Sequence, residues 1–162
     1  MGTRILGVDP GLKTTGYGLI DCGQSQLKLI ETGTIEPKVK DLFENRIQTI
    51  FNGMTKIILE HQPEVLILEK LYAHSHHPIT ASILGHARGV ICLVAAQHKI
   101  QLLEESPKRI RKAITGNGNA SKEQIKRFVA HCLKLDENKL TLDASDALAL
   151  ALGYVRLKGK NF

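Results

Sequence analysis

The order of the apolar patterns constrains this chain more than any other feature. Three β-like segments joined by short connections come first, and we predict strands at Arg4–Asp9, Thr14–Asp21 and Leu27–Ile35. Short connections between consecutive strands favour an antiparallel meander. The rest of the chain alternates long helical patterns with short buried strands, as parallel strands joined by crossover helices do. The sequence therefore predicts a mixed sheet, antiparallel at first and parallel later.

The second half of the chain supplies helices to cover this sheet. Apolar residues at intervals of three and four predict a helix from Asp41 to Gln62, which Pro63 ends. A buried strand at Val65–Glu69, a helix at Ile79–His98 and a strand at Ile100–Glu104 follow. Three more helical patterns begin after Pro107, at the capping box of Ser121 and Gln124, and after Asp143. The prediction is an α/β fold with five strands and helices on both faces.

Size and composition indicate one domain in a reducing compartment. The chain has 162 residues and 43% hydrophobic content, which suits a single core. We predict one domain over residues 1–158 and a short tail at 159–162. The three cysteines include no C-x-x-C pair, which indicates reduced thiols. The longest uninterrupted apolar stretch, Val90–Ala96, is far shorter than a membrane-spanning helix, so we expect a cytoplasmic protein that does not enter a membrane.

Four carboxylates stand where sheet-borne metal ligands are commonly found. Asp9 and Glu69 end two predicted strands, and Asp143 and Asp146 lie three apart at the head of the last helix. Helical residues three apart share one face, and oxygen-only ligand sets suit hard cations such as Mg²⁺. If the four acids meet in space, the pattern predicts a metal-dependent phosphodiesterase acting on nucleic acid.

Each acid also has an ordinary explanation. Asp9 precedes Pro-Gly, which is common turn chemistry, and Glu69 at a strand exit is compatible with simple solvation. Asp143 and Asp146 are compatible with an N-cap and a first-turn acid favoured by the helix dipole. Their conjunction with the predicted strand order favours the metal site.

The basic residues point to a polyanionic partner. The formal charge is +6 and the isoelectric point is about 9.3, which favours nucleic acid through counterion release. Cations concentrate between Pro107 and Phe128, around a loop at Gly116–Asn119. A solvated polar face is the alternative for any one of them. The candidate DNA-binding cations are Lys108, Arg109, Arg111, Lys112, Lys122 and Lys126.

The polar segment after Glu69 contains an aromatic residue and three histidines. Tyr72 lies three residues past Glu69, where an exposed ring would stack on bases beside a nuclease centre; a tyrosine packed on the surface is the alternative. His74, His76 and His77 suggest a zinc site, but the sequence nearby supplies no fourth ligand. Solvated histidines are therefore the favoured interpretation.

Five motifs, in a fixed order from the first strand to the last helix, carry a family resemblance. They are Gly7-Val8-Asp9-Pro10-Gly11, Thr15-Gly16-Tyr17-Gly18, Leu68-Glu69-Lys70, Leu84-Gly85-His86-Ala87-Arg88-Gly89-Val90 and Asp143-Ala144-Ser145-Asp146-Ala147-Leu148-Ala149. Together they resemble the RuvC family of Holliday junction resolvases over nearly the whole chain. The resemblance implies a ribonuclease H-like fold. It also implies catalytic and metal-binding roles for Asp9, Glu69, Asp143 and Asp146.

The same resemblance implies a substrate, a cofactor and partners. The substrate would be a four-way DNA junction, cut by paired symmetric nicks that leave 5′ phosphates and 3′ hydroxyls. Two Mg²⁺ ions per site, roughly 4 Å apart, would activate water and stabilise the leaving oxygen, and Mn²⁺ would be able to substitute. Lys122 and Arg111 match basic positions near the scissile phosphate, although the family commonly has lysine at the second of these. Tyr72 matches an aromatic position, and the partners would be a second copy of the chain and the RuvA and RuvB branch-migration proteins.

Small residues recur every four positions along the predicted helix at Ile79–His98. Ala81, Gly85 and Gly89 would let another backbone approach closely. Two uses remain open, namely packing on the protein's own sheet and pairing with the same helix of a second subunit. The resemblance favours the second use, because two symmetric cuts suit a two-fold symmetric dimer.

Two other functions compete with the nuclease. A junction-binding protein without catalytic activity would keep the basic surface, and Mg²⁺-dependent nicking separates it from an enzyme. An actin-like or sugar-kinase-like ATP-binding domain also begins with a glycine-rich turn beside an acid, as at Asp9 and Gly16 to Gly18. Such proteins enclose nucleotide between two domains, whereas 162 residues supply one.

Overall fold

A five-stranded mixed sheet lies at the centre of the computed structural model, which describes residues 2–23, 26–70 and 78–159. The strand order is β3-β2-β1-β4-β5. β1 pairs antiparallel with β2 and parallel with β4, so the sheet changes from antiparallel to parallel pairing at β1. The predicted sheet is confirmed. Its strands are β1 (Thr3–Asp9), β2 (Thr15–Cys22), β3 (Leu27–Ile35), β4 (Val65–Glu69) and β5 (Gln101–Glu105).

Helices cover both faces of this sheet, as predicted. The helices are α1 (Phe43–His61), α2 (Pro78–Gln97), α3 (Pro107–Thr115), α4 (Lys122–Leu133) and α5 (Leu142–Leu157), with a short 3-10 turn at Glu137–Lys139. Alternate strand residues point to opposite faces, so Leu6 and Leu66 enter a core with α1 and α2. Ile5 and Ile67 enter the other core, which α3, α4 and α5 complete.

The last helix begins earlier than expected. Thr141 is its N-cap, and the Thr141 hydroxyl accepts a hydrogen bond from the backbone N–H of Ala144. Asp143 therefore lies inside the first turn, and the N-cap explanation for this residue is wrong. The capping box of Ser121 and Gln124 is present as predicted.

Glycines bring α5 directly onto the backbone of the sheet. A Cβ atom on Gly7 would lie 2.0 Å from the carbonyl oxygen of Ala147, and one on Gly16 would lie 2.2 Å from that of Asp143. Since backbone cannot yield as a side chain does, these positions require glycine. Gly16 and Gly18 therefore lie within β2, where they allow α5 to pack closely against the strand. This packing role explains the two glycines without the nucleotide-binding turn of an ATP-binding domain.

The outer face of α2 lacks cover within the described residues. Ala81, Gly85 and Gly89 are exposed, and a Cβ on either glycine would meet no atom within 4 Å. Packing of this stripe on the protein's own sheet is therefore excluded. The span Ile79–Gln97 has the length and hydropathy of a membrane-crossing helix, and only 22% of it is buried. Its inner face nevertheless packs in the core through Ala87, Ile91, Val94 and Ala95, which is the behaviour of a crossover helix with one open side.

Candidate active site

Three of the four predicted acids line one cleft at the edge of the sheet. Asp9 is the last residue of β1 and Glu69 is the last residue of β4. The parallel register pairs Val8 with Leu68, so the two acids emerge side by side. Asp146 reaches the same cleft, about 150 Å³ in volume, from the second turn of α5. The strand register and the glycine contacts of α5 thus bring together residues up to 137 positions apart in the sequence.

Asp143 stands at the side of this cleft. It lines a neighbouring depression together with the β1–β2 loop at Gly11–Thr14 and the start of α2 at Thr80. Its charge still raises the pKa of Asp9, although it is the weakest of the acids in this respect. The position three residues before Asp146 keeps both acids on one side of α5, so Asp143 borders the site.

Asp9 lies at the electrostatic centre of the cluster. Burial and, after it, the charges of Asp146, Glu69 and Asp143 together raise its pKa to about 7, against the opposing charge of Lys122. Carboxylates crowded together disfavour one another's ionised forms. The site therefore holds more negative charge than its own cations neutralise.

Glu69 is perturbed in the same direction. Burial raises its pKa first and the charge of Asp146 adds to this, while Arg111, Lys122 and Arg88 oppose the shift. Raised pKa values on acids in one cleft are typical of functional sites.

One lysine neutralises part of this charge directly. The Lys122 ammonium donates a hydrogen bond of 2.7 Å to Oδ2 of Asp146, and this bond raises the pKa of Lys122. Lys122 is the first residue of α4, whose start is fixed by the reciprocal bonds of Ser121 and Gln124. The capping box therefore determines where the ammonium lies.

The donor set fits divalent cations of the Mg²⁺ type. It consists of carboxylate oxygens, it is partly buried, and it carries excess negative charge. The acids do not form one tight cage, however. Among the described residues, the one group of three ligand-bearing side chains with ligand atoms within 4.8 Å of one another is Glu31, Glu60 and His61. No three of the four acids, all of which the structure describes, have ligand atoms that close together, and mutual repulsion favours such a separation.

Comparison with known proteins relates this chain to one family. The family model of the crossover junction endodeoxyribonuclease RuvC matches residues 5–154. The chain belongs to the RuvC family. A family member from Rhodopirellula baltica is 40% identical over 148 residues, which cover 91% of this chain and 83% of the relative. Another, from Halorhodospira halophila, is 41% identical over 151 residues, covering 93% and 88% of the two chains.

A solved RuvC structure shares the fold. Thermus thermophilus RuvC in complex with a Holliday junction substrate superposes with a TM-score of 0.87, at 23% sequence identity, over 96% of each chain. The ribonuclease H-like arrangement expected from the sequence is thus confirmed for this member of the RuvC family.

Two of the six candidate DNA-binding cations reach the cleft. Arg111 on α3 and Lys122 on α4 both line it. Arg109 instead pairs with Glu105, with its guanidinium nitrogen 3.1 Å from each carboxylate oxygen. The remaining candidates lie on the surfaces of the same two helices, with Lys108 and Lys112 exposed and Lys126 half-buried.

Four predicted residues fall outside the described part of the chain. Tyr72, His74, His76 and His77 belong to the segment 71–77. The proposed base stacking by Tyr72 and the zinc interpretation of the histidines therefore stay predictions.

Two features of the molecule escaped sequence reasoning. One is the cluster of Tyr17, Glu31 and His61, in which Glu31 accepts a hydrogen bond of 2.6 Å from the Tyr17 hydroxyl and lies 2.6 Å from Nε2 of His61. The other is Arg88, which contacts the main chain at Glu69. Arg88 had a visible signal, because it is the only Lys, Arg, Asp or Glu between Pro78 and Gln97.

Proposed function

We propose that this chain is an endonuclease that resolves four-way DNA junctions by paired, symmetric hydrolysis of phosphodiester bonds in DNA recombination and repair. The observation that supports this most is the cleft in which Asp9, Glu69 and Asp146 meet Lys122 and Arg111, in a chain that belongs to the RuvC family. Crowded acids beside cations suit the binding of a phosphodiester together with divalent metal.

We further propose Mg²⁺ as the cofactor, with two ions per site and Mn²⁺ able to substitute. When bound, such ions activate the attacking water and stabilise the leaving 3′ oxygen. Asp9 is the candidate for the ligand shared between the ions, because the charges of all three other acids act on it. Glu69, Asp143 and Asp146 would complete the ligand set.

The chain's own cations would hold the scissile phosphate. Lys122 is hydrogen-bonded to Asp146, at the boundary between the acids and the basic helices. From this position its ammonium would donate to a phosphate oxygen. Arg111 lines the cleft opposite, and its guanidinium is suited to planar, two-point contact with phosphate. The other cations of α3 and α4 would follow the DNA backbone away from the cut.

A second copy of the chain is the proposed occupant of the open side of α2. Ile79 is 76% exposed, Ile83 is 40% exposed and Leu93 is 52% exposed, while Gly85 and Gly89 leave room for another backbone. An isologous contact between two α2 helices would cover this apolar surface and present two active sites to opposed strands. The family resemblance also supports RuvA and RuvB as partners and the cytoplasm as the location.

Light scattering tests the dimer. Ile83→Glu should give monomers at concentrations where the wild-type chain is dimeric, since it places a charge in the apolar contact. Leu59→Glu is the matched control, because Leu59 is 60% exposed on α1 and lies outside α2. Dimers that persist in Ile83→Glu would contradict the proposed contact.

A strand-labelled cleavage assay tests the function. Four-way junctions and linear duplexes of the same sequence are incubated with the protein, with and without Mg²⁺, and the products are separated on a denaturing gel. We expect symmetric nicks in two opposed strands of the junction, dependent on the metal, and an intact duplex. Junction binding without any nick in Mg²⁺ or Mn²⁺ would favour the non-catalytic alternative.

A further inference from the structure

Arg88 is an unusual residue for its position. It is the only Lys, Arg, Asp or Glu of helix α2, and its side chain is only 11% exposed. A buried charge is costly unless it is both paired and hydrogen-bonded. The neighbouring residues Ala87 and Ile91 are fully buried against the sheet, so the helix directs Arg88 inwards. A residue retained at this cost has a specific structural task.

The guanidinium connects the ends of two strands. Nη1 donates to the main-chain carbonyl of Glu69 at 2.5 Å, and Nη2 donates to the carboxylate of Glu104. Glu69 is the last residue of β4, and Glu104 lies next to the last residue of β5. The two nitrogens thus fix α2, β4 and β5 relative to one another at the edge where the acids emerge. A lysine, with a single ammonium, cannot reproduce this planar, forked contact.

The position of the contact matters because Glu69 is an acid of the cleft. Asp9 and Asp146 line the same cleft, and like charges push the Glu69 carboxylate away from them. The main-chain pairing of β4 with β5 ends at this point, with the bond from the Lys70 N–H to the Glu105 carbonyl at 2.8 Å. Arg88 supplies an additional anchor at the Glu69 carbonyl itself.

We propose that Arg88 is a positioning residue that holds the main chain of Glu69, so that its carboxylate stays in register with Asp9 and Asp146 for metal binding. The inference rests on the proposed function only in taking these acids as metal ligands. Arg88 acts through Glu69 and does not touch the phosphate. Its loss should therefore weaken the use of metal and leave the recognition of DNA unchanged.

Arg88→Met tests this against a matched arginine at the other end of the sheet. Arg4 also donates to a main-chain carbonyl, that of His61, at 2.6 Å, but it stands near the start of β1. Arg4→Met therefore removes a similar bond far from the acids. A second control, Glu104→Gln, removes the negative charge of the ion pair but keeps a side-chain oxygen that can accept from Nη2, so both hydrogen bonds of Arg88 remain possible.

Three readouts separate positioning from general stability. They are the Mg²⁺ concentration for half-maximal junction cleavage, the rise in melting temperature caused by Mn²⁺, and junction binding in EDTA. In Arg88→Met the Mg²⁺ requirement should rise about 10-fold or more, as expected when the support of a metal ligand is lost. The thermal shift caused by Mn²⁺ should shrink, and metal-free junction binding should stay at the wild-type level. Both controls should keep the wild-type metal dependence.

Wild-type metal dependence in Arg88→Met would overturn the proposal. Should that variant fail to fold, Arg88→Lys decides the question. A lysine ammonium is expected to serve only one of the two partners, so the Mg²⁺ requirement should rise above that of Arg4→Met. An unchanged Mg²⁺ requirement in Arg88→Lys would refute the role. If the wild-type chain cuts no junction, the proposed function fails on its own. The Mn²⁺ thermal shifts of the wild-type chain and Arg88→Met then still test the positioning of Glu69.

Discussion

Two carboxylate clusters on this sheet solve opposite problems. Around Asp9, burial and neighbouring acids raise the pKa, and Lys122 provides only partial compensation. Around Glu31, the hydrogen bonds from Tyr17 and His61 lower the pKa of the carboxyl group. The second cluster is the tighter of the two, with ligand atoms of Glu31, Glu60 and His61 within 4.8 Å of one another. The two clusters therefore differ less in the proximity of their acids than in how much negative charge the chain leaves uncompensated.

The difference follows from what each cluster uses as a partner. Glu31 has donors on both carboxylate oxygens, so it needs nothing from outside the chain. Asp9 and Glu69 are surrounded by acids and gain little from the chain itself. We therefore regard the Glu31 cluster as a brace between β2, β3 and α1, and we propose that the Asp9 cluster is completed by metal and phosphate.

The largest contrast should appear in catalysis. Asp9→Asn removes the acid on which the other three converge, and junction cleavage should fall by about 1,000-fold or more, which corresponds to roughly 4 kcal/mol of transition-state stabilisation. Glu31→Gln makes the same chemical change in the satisfied cluster and should leave cleavage unaltered. Both variants should bind junctions in EDTA like the wild-type chain. Cleavage that survives in Asp9→Asn would remove the metal-site assignment.

The next effect concerns Lys122, whose ammonium is hydrogen-bonded to Asp146. Lys122→Met should lower the cleavage rate at saturating Mg²⁺ by about 100-fold, a typical result of deleting one charged donor to a reacting phosphate. Lys139→Met is the control, because Lys139 pairs with Asp136, which lies outside the cleft. The measurement is single-turnover cleavage of a labelled junction. Equal rates for the two variants would show that Lys122 only neutralises Asp146.

The free energy of unfolding should depend on pH because the pKa of Asp9 is raised in the folded state. The folded-state pKa of Asp9 is raised from its ordinary value of 3.8 to about 7, so the native state binds more protons than the unfolded state between these values. The free energy of unfolding of the metal-free chain should therefore fall as pH rises from about 4 to 7. Asp9→Asn should be the more stable protein at pH 8, by up to roughly 4 kcal/mol, since one pKa unit corresponds to about 1.4 kcal/mol, and the difference should vanish below pH 4.

Urea unfolding in EDTA across this pH range checks the linkage. Saturating Mg²⁺ supplies the informative control, because a bound cation should stabilise the wild-type chain at pH 8 and have little effect on Asp9→Asn. A wild-type chain that is more stable than Asp9→Asn at pH 8 without metal would refute the raised pKa.

The sequence predicted the meeting of acids around Asp9 better than the brace because their contacts have different origins. Asp9 and Glu69 end strands, and parallel neighbours place such ends together once the strand order is known. Glu31 on β3 and His61 at the end of α1 are 30 residues apart in the sequence. Their contact depends on tertiary packing, which the spacing of apolar residues does not predict. The sideways place of Asp143 depends on how α5 rotates over Gly7 and Gly16, which is a packing property.

Helix α2 shows the same limit. Its period and length were predictable from apolar spacing, and its ends lie within one residue of the expected positions. Whether Ala81, Gly85 and Gly89 face the sheet or the outside of the protein was not predictable, because small residues serve close packing inside a chain and between chains equally well. The structure resolves this ambiguity, because the buried guanidinium of Arg88, bonded to the main chain of Glu69, lies on the inner face.

The smallest expected effect tests the brace itself. Glu31 is partly exposed, so the loss of its charge-assisted bonds in Glu31→Gln should destabilise the chain by only about 1 kcal/mol at pH 7. The folded-state pKa of Glu31 is lowered, so its contribution is present above the ordinary value of 4.5 and disappears as pH falls below it. Tyr17→Phe removes one of the two donors and should give part of the same loss. Unfolding experiments on both variants should thus show a destabilisation that shrinks in acid, whereas the stabilisation by Asp9→Asn grows towards alkaline pH; the same sign in both clusters would mean that the brace, too, lacks a partner.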